Sequence, residues 1–140
     1  MRKIISLLAL IVVLSTSLFG CSISMKEYYA WKLERNEFIV CESGKSLEEI
    51  NDELNQEIRF SAAEPFSVEL TDYVEFVKMN ESQYECKIYE FVDSTQAEIY
   101  AKHCVSARNQ FDKSKAAHAG RVVIVTDSQT VMDILNLEFN

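Results

Sequence analysis

Four cysteines and two histidines are the side chains of this sequence best suited to nucleophilic, redox or metal chemistry: Cys21, Cys41, Cys86 and Cys104, with His103 and His118. Their spacing supports little of it. Gaps of 44 residues between Cys41 and Cys86 and of 17 between Cys86 and Cys104 match no C-x-x-C ligand pair. His103 adjoins Cys104, but neighbours on a helix point about 100° apart and do not readily share a metal. No HExxH, phosphate loop, dinucleotide fingerprint or GxSxG occurs. Glu48 with Glu49 and Asp52 with Glu53 are paired carboxylates on the polar side of an amphipathic stretch, where solvation explains them. Asp72, Asp93 and Asp127 stand beside strand ends or helix starts, where turn and capping chemistry does. The sequence therefore nominates no catalytic residue, no metal ligand and no cofactor site. A small envelope hydrolase or thiol redox factor using Cys86, Cys104 and His103 stays open as the enzymatic alternative, and it requires a partly exposed thiolate.

Cys21 is set apart by what precedes it. Arg2 and Lys3 give a positive start, Ile4 to Leu14 an uncharged apolar run of 11 residues, and Ser15 to Ser17 a polar end, which is the three-part build of a secretory signal. A spanning helix needs about 20 predominantly apolar residues. The uncharged run from Ile4 to Gly20 has 17 and is broken by Ser6, Ser15, Thr16 and Ser17. At its end Leu18, Phe19, Gly20 and Cys21 resemble the lipobox of bacterial lipoproteins, with Phe19 where a small or β-branched residue is commoner. That resemblance implies cleavage between Gly20 and Cys21 and acylation, with palmitate or a similar chain, of Cys21. Each buried methylene contributes about 0.8 kcal/mol and one chain binds only marginally, so stable anchorage takes two or more. An uncleaved anchor and an ordinary secretory signal are the competing readings.

Removing residues 1–20 leaves 120 residues, enough for one domain with a real core. It also removes Arg2 and Lys3, so 12 basic side chains stand against 22 acidic ones and the net charge falls from −8 to −10. Such a chain is repelled by nucleic acid and by anionic headgroups, and nucleic-acid binding is set aside. Beyond Cys21 three cysteines remain, so at most one internal disulfide can form; three thiols are the expectation, and a single disulfide, with Cys41–Cys86 the first choice, is the alternative. Asn80-Glu81-Ser82 spells a glycosylation acceptor, which a bacterial signal renders coincidental.

The order of elements follows from periodicity. Residues 21–36 read as a lipidated N-terminus and tether in which Tyr28, Tyr29 and Trp31 form a helix or arm against the core, or rest at the headgroup level. Phe38 to Cys41 is a short apolar strand, Gly44 allows a turn, and Ser46 with Glu49 is a capping box opening a helix striped by Leu47, Ile50, Leu54 and Ile58. Phe66, Val68, Leu70, Val74 and Phe76 alternate as one or two strands, residues 79–82 turn, and Tyr84, Cys86 and Ile88 complete a hairpin. Thr95 with Glu98 reads as a second capping box for a helix carrying Ala97, Tyr100, Ala101, Cys104 and Phe111 to one face of a sheet. Residues 111–120 read as a polar connection closed by Gly120, residues 121–125 as an interior strand, and Asp127 or Ser128 as the cap of a last helix with Val131, Ile134 and Leu135.

This order predicts an α+β domain over 37–140: an antiparallel or mixed sheet with helices on one face, in the ferredoxin-like split βαβ arrangement plus a C-terminal helix. Through "KSLEEINDEL" and "YECKIYEFVDSTQAEIYAK" running into "NQFDKSK", residues 45–138 resemble small uncharacterised lipoproteins of Gram-positive gut bacteria. The resemblance implies a membrane-anchored, exposed α/β domain and assigns no activity or functional residue. The functional expectation is an extracytoplasmic lipoprotein of the cell membrane whose domain binds a protein or peptide of the envelope, through an edge strand or an uncovered sheet face. An immunity or superinfection-exclusion role is a special case of it.

Overall fold

The computed structural model describes residues 24–78, 81–106 and 115–139, with side chains left aside at 81–84 and 115. The signal segment, Gly20 and Cys21 lie outside the described residues, as do Phe111 and the end expected for its helix. Among the described residues, four helices and five strands follow in the order α1 (Met25–Glu34), β1 (Phe38–Cys41), α2 (Leu47–Ser61), β2 (Leu70–Lys78), β3 (Glu81–Phe91), α3 (Ser94–Ser106), β4 (Lys115–Ala119), β5 (Val122–Thr126) and α4 (Gln129–Leu135). The α+β class and the antiparallel sheet predicted from the sequence are both present.

Every neighbouring pair of strands is antiparallel and the order is β1-β2-β3-β5-β4. This differs from the split βαβ order. There the first strand enters the middle of the sheet, whereas β1 stays at an edge, with Cys41 opposite Glu75 of β2. The place beside β3 is taken by β5, the inner arm of a hairpin with β4. Residues 115–119, read from the sequence as connection, form β4 because Gly120 at φ 59° and Arg121 make a two-residue turn that brings Ala119 opposite Val122. Three alanines in β4 contribute little strand preference of their own, and the pairing with β5 decides the matter.

Helices cover both faces of the sheet, not one. Tyr29 and Leu33 of α1 and Val131, Met132 and Leu135 of α4 pack against Phe38, Phe76, Cys86, Ile88, Val122 and Ile124. Leu54 and Ile58 of α2 and Ala97, Tyr100 and Ala101 of α3 pack against Leu70, Tyr89, Phe91 and Val123 on the other side. Successive residues of a strand point to opposite faces, so the buried run Val122, Val123, Ile124 needs apolar cover on both. Residues 25–34, expected within a tether, belong to the domain through this packing. A capping box of Ser24 and Glu27 starts α1, and Lys26 pairs with Asp72 of β2.

The other helices start on side-chain caps. Ser46 accepts from Glu49 N–H at 3.2 Å and Glu49 accepts from Ser46 N–H at 2.7 Å, the box expected for α2. For α3 the cap is Asp93, whose carboxylate accepts from Gln96 N–H at 2.8 Å, and Thr95 lies inside the helix. Ser128 caps α4 by accepting from Val131 N–H.

Candidate functional site

The chemistry-bearing residues are dispersed by the fold. Cys86 is fully buried on the α1/α4 face, where desolvation pushes its thiol up to about 12. Cys104 faces the α2/α3 core, on the opposite side of the sheet. Cys41, Cys86 and Cys104 form no disulfide with one another, as the expectation of three thiols had it, and the alternative Cys41–Cys86 bond is not made. Cys41 lies opposite Glu75 and Cys86 opposite Phe76, so β2 stands between them. Two strand spacings are about 10 Å, beyond the reach of a disulfide. Cys86 and Cys104 thus form no dithiol pair, and His103 does not join them to one site.

His103 instead is part of the packing between α3 and the end of α2. Its Nε2 lies 3.0 Å from Ser61 Oγ, and its ring meets Phe66 edge-on at 5.5 Å. Ser61 donates its hydroxyl proton to Glu57 O at 2.7 Å, a bond along its own helix, so the oxygen is left to accept from the imidazole. A nucleophile would be oriented the other way, giving its proton to the imidazole. His118, on β4, is outside this contact. Among the described residues no group of three or more His, Cys, Asp and Glu side chains converges as a metal site would require.

A concave feature among the described residues lies elsewhere, where α2 leaves the outer part of the β1–β2 surface uncovered. A hollow of about 390 Å³ runs from Cys41 and Gly44 past Leu47 and Ile50 to Tyr73 and Glu75. It continues as a narrower one of about 190 Å³ between Glu53 and Glu57 of α2 and Lys87 and Tyr89 of β3. Its shape has local causes. Gly44, at φ 68°, turns the chain from β1 toward α2 with a backbone that suits glycine. Lys45 then reaches over to Glu53, its ammonium 2.7 Å from both carboxylate oxygens.

Two tyrosines from neighbouring strands form the floor, Tyr73 and Tyr89, with ring centroids 5.1 Å apart. Tyr73 donates its hydroxyl to Glu75 Oε2 at 2.7 Å. Burial, followed by that bond to a carboxylate, raises the Tyr73 phenol above its ordinary value, and burial raises Tyr89. Both rings stay protonated, as donors and not as bases. The groove therefore offers apolar contact, two phenols and a carboxylate-rich wall of Glu53, Glu57 and Glu75 against Lys45 and Lys87. That composition suits recognition of an extended chain with a cationic or amide-bearing side chain.

Cys41, Gly44, Leu47, Ile50 and Glu53 stand out in the sequence for other reasons, whereas Lys45, Glu57, Tyr73, Glu75 and Lys87 do not stand out there. The available signal was Glu75, a carboxylate at a face position of β2 between residues that alternate as strand core. The groove adjoins a free edge. β1 pairs only with β2 among the described residues, and Ile39 and Val40 are 44% and 49% exposed. Among the described residues no helix is long and apolar enough to cross a membrane. Compared with protein families, curated proteins and solved structures, the chain shows no significant match to any.

Proposed function

We propose that this chain is a lipoprotein of the bacterial cell membrane, cleaved between Gly20 and Cys21, lipidated at Cys21 and displayed outside the cytoplasm, where its α+β domain binds an extended peptide or protein segment without catalysing a reaction. The anchorage rests on the signal and lipobox residues. The binding role rests on one observation, the edge strand β1 with exposed Ile39 and Val40 beside the groove over Tyr73 and Tyr89. An edge strand carries backbone N–H and C=O groups that a partner strand satisfies, while alternate side chains of the partner enter adjoining pockets. A basic or amide side chain entering this groove meets Glu57 and Glu75. An immunity or exclusion role would be one use of such a surface, the partner then being a strand of a toxin or phage component.

Anchorage and binding are tested separately. Wild-type protein should fractionate with membranes and incorporate labelled fatty acid, and Cys21→Ala should abolish the label while single replacements of Cys41, Cys86 and Cys104 keep it. Label retained in Cys21→Ala would place the lipid elsewhere. For binding, peptides selected from an extended-strand library should slow hydrogen exchange at the β1 amides. The paired change Ile39→Lys and Val40→Lys should abolish that effect without altering circular dichroism. Selected peptides that protect only α3 or α4 amides would overturn the edge-strand reading.

A further inference from the structure

The outward side of α1 carries an assembled ladder of rings and cations. Tyr28, Trp31 and Arg35, at spacings of three and four residues, fall on the side of the helix opposite buried Tyr29 and Leu33. The Tyr28 and Trp31 rings stack at 6.4 Å between centroids and 24° between planes. The guanidinium of Arg35 sits 4.9 Å above the Trp31 ring, and the Lys32 ammonium 4.9 Å above the Tyr28 ring. Trp31 is 50% exposed, Tyr28 41% and Met25 45%, so the largest aromatic of the chain faces away from the core that α1 helps to form.

We infer that this face is a membrane seat: the rings of Tyr28 and Trp31 lie at the headgroup level of the bilayer that holds the Cys21 lipid, with Arg35 against lipid phosphates. The inference rests on the lipid anchor proposed above. From Cys21 to the helix cap Ser24 there are three residues, which span at most about 10 Å, so an anchored Cys21 holds the first turn of α1 against the bilayer surface. Amphipathic rings favour that depth. The chain is strongly acidic as a whole, and exposed Arg35, stacked over Trp31, puts a cation beside the rings although Glu34 is also exposed on α1. Glu27, the acidic neighbour in the first turn, turns its carboxylate back to the Ser24 N–H at 3.0 Å. Because α1 covers one sheet face and α2 the other, seating α1 on the bilayer leaves the groove and its tyrosines turned outward.

Trp31 is the single tryptophan of the sequence, so its fluorescence reports on this face alone. The lipidated full chain is reconstituted into vesicles of phosphatidylcholine with phosphatidylglycerol, with and without bromine near the top of the acyl chains. Flotation establishes anchorage, and emission reads the seat. Brominated lipid should quench Trp31 emission about twofold or more, with iodide in the buffer quenching weakly. The paired change Tyr28→Ser and Arg35→Glu, which leaves Tyr29 and Leu33 in place, should weaken the bromolipid quenching and raise iodide quenching without changing flotation. Protein that floats while Trp31 is open to iodide and untouched by bromolipid overturns the seat and leaves the anchor standing. Protein that does not float overturns the anchor, and the seat with it.

Discussion

Asn55 holds Val68 through both of its backbone groups: the side-chain amide donates to Val68 O at 2.8 Å, and its carbonyl accepts from Val68 N–H at 2.9 Å. One turn earlier on α2, Asn51 Oδ1 accepts from Leu70 N–H at 2.9 Å. Two asparagines on one helix face thus take the place of a neighbouring strand for residues 68–70, and they fix α2 beside the sheet at the inner wall of the groove. Asn55→Ala would leave the N–H and C=O of buried Val68 without these partners, and an unsatisfied buried group costs about 1–3 kcal/mol. A loss of about 2 kcal/mol or more in chemical denaturation is expected, with Asn55→Leu no better. A loss near zero would mean that water satisfies Val68 and that the clamp does not hold the helix.

The same contact explains where sequence reading stopped. Phe66, Val68 and Leu70 alternate as strand residues do, yet β2 begins only at Leu70, because the partner of Val68 is a side chain on α2. An asparagine on the helix gives no pattern that points to a residue 13 positions later. The capping box at Ser46, the β2–β3 hairpin and the run from Val122 to Val125 were legible because each is local, a matter of spacing within one element. Strand order was not, since it hinges on the turn at Gly120 and on alanines whose own preference is weak. Two-sided cover follows from the consecutive buried residues Val122, Val123 and Ile124 of β5, whose side chains alternate between the faces. The groove draws on α2, β1, β2 and β3 at once, so its tyrosines and carboxylates became neighbours only in the fold.

Thiol reactivity should separate the three described cysteines. Cys41 is exposed at the mouth of the groove and should react with an aromatic disulfide reagent in the native protein. Cys86 is fully buried with a raised pKa and should react only on unfolding. Mass spectrometry of the denatured, unreduced chain should find no bond between Cys41 and Cys86. Early modification of Cys86 under native conditions, or a linked peptide pair, would contradict the placement of β2 between them.

Alkali should unfold the domain. Burial disfavours the thiolate of Cys86 and the phenolates of Tyr29, Tyr73, Tyr89 and Tyr100, raising all five above their unfolded values. Raised groups contribute their stability in full below the unfolded pKa, near 8.5 for a thiol and 10 for a phenol, and lose it as pH climbs through the folded value. Stability should therefore be flat around neutrality in respect of these groups and fall above about pH 9. Tyrosinate absorbance of the buried rings should appear together with loss of near-ultraviolet circular dichroism. Phenolate formation at ordinary pH with the dichroism intact would show that the rings are wetter than the structure has them.

Leu33 decides whether α1 belongs to the domain or only leads to it. Its side chain is fully buried between the sheet and α4, and Lys32 beside it reaches Leu135 O at 3.2 Å, so α1 and α4 form one layer. Large-to-small replacement in such a layer loses transfer free energy and leaves a cavity, together about 2–5 kcal/mol. Leu33→Ala should therefore lower the denaturation midpoint clearly, whereas Trp31→Ala, on the outward side of the same helix, should change it little. If both replacements were neutral to stability, α1 would be a loose leader, and the tyrosine–tryptophan face could not be held in the orientation that turns the groove away from the bilayer. A destabilised but still foldable Leu33→Ala variant should also lose protection from hydrogen exchange first in α1 and α4, because those helices share the face from which the side chain was removed.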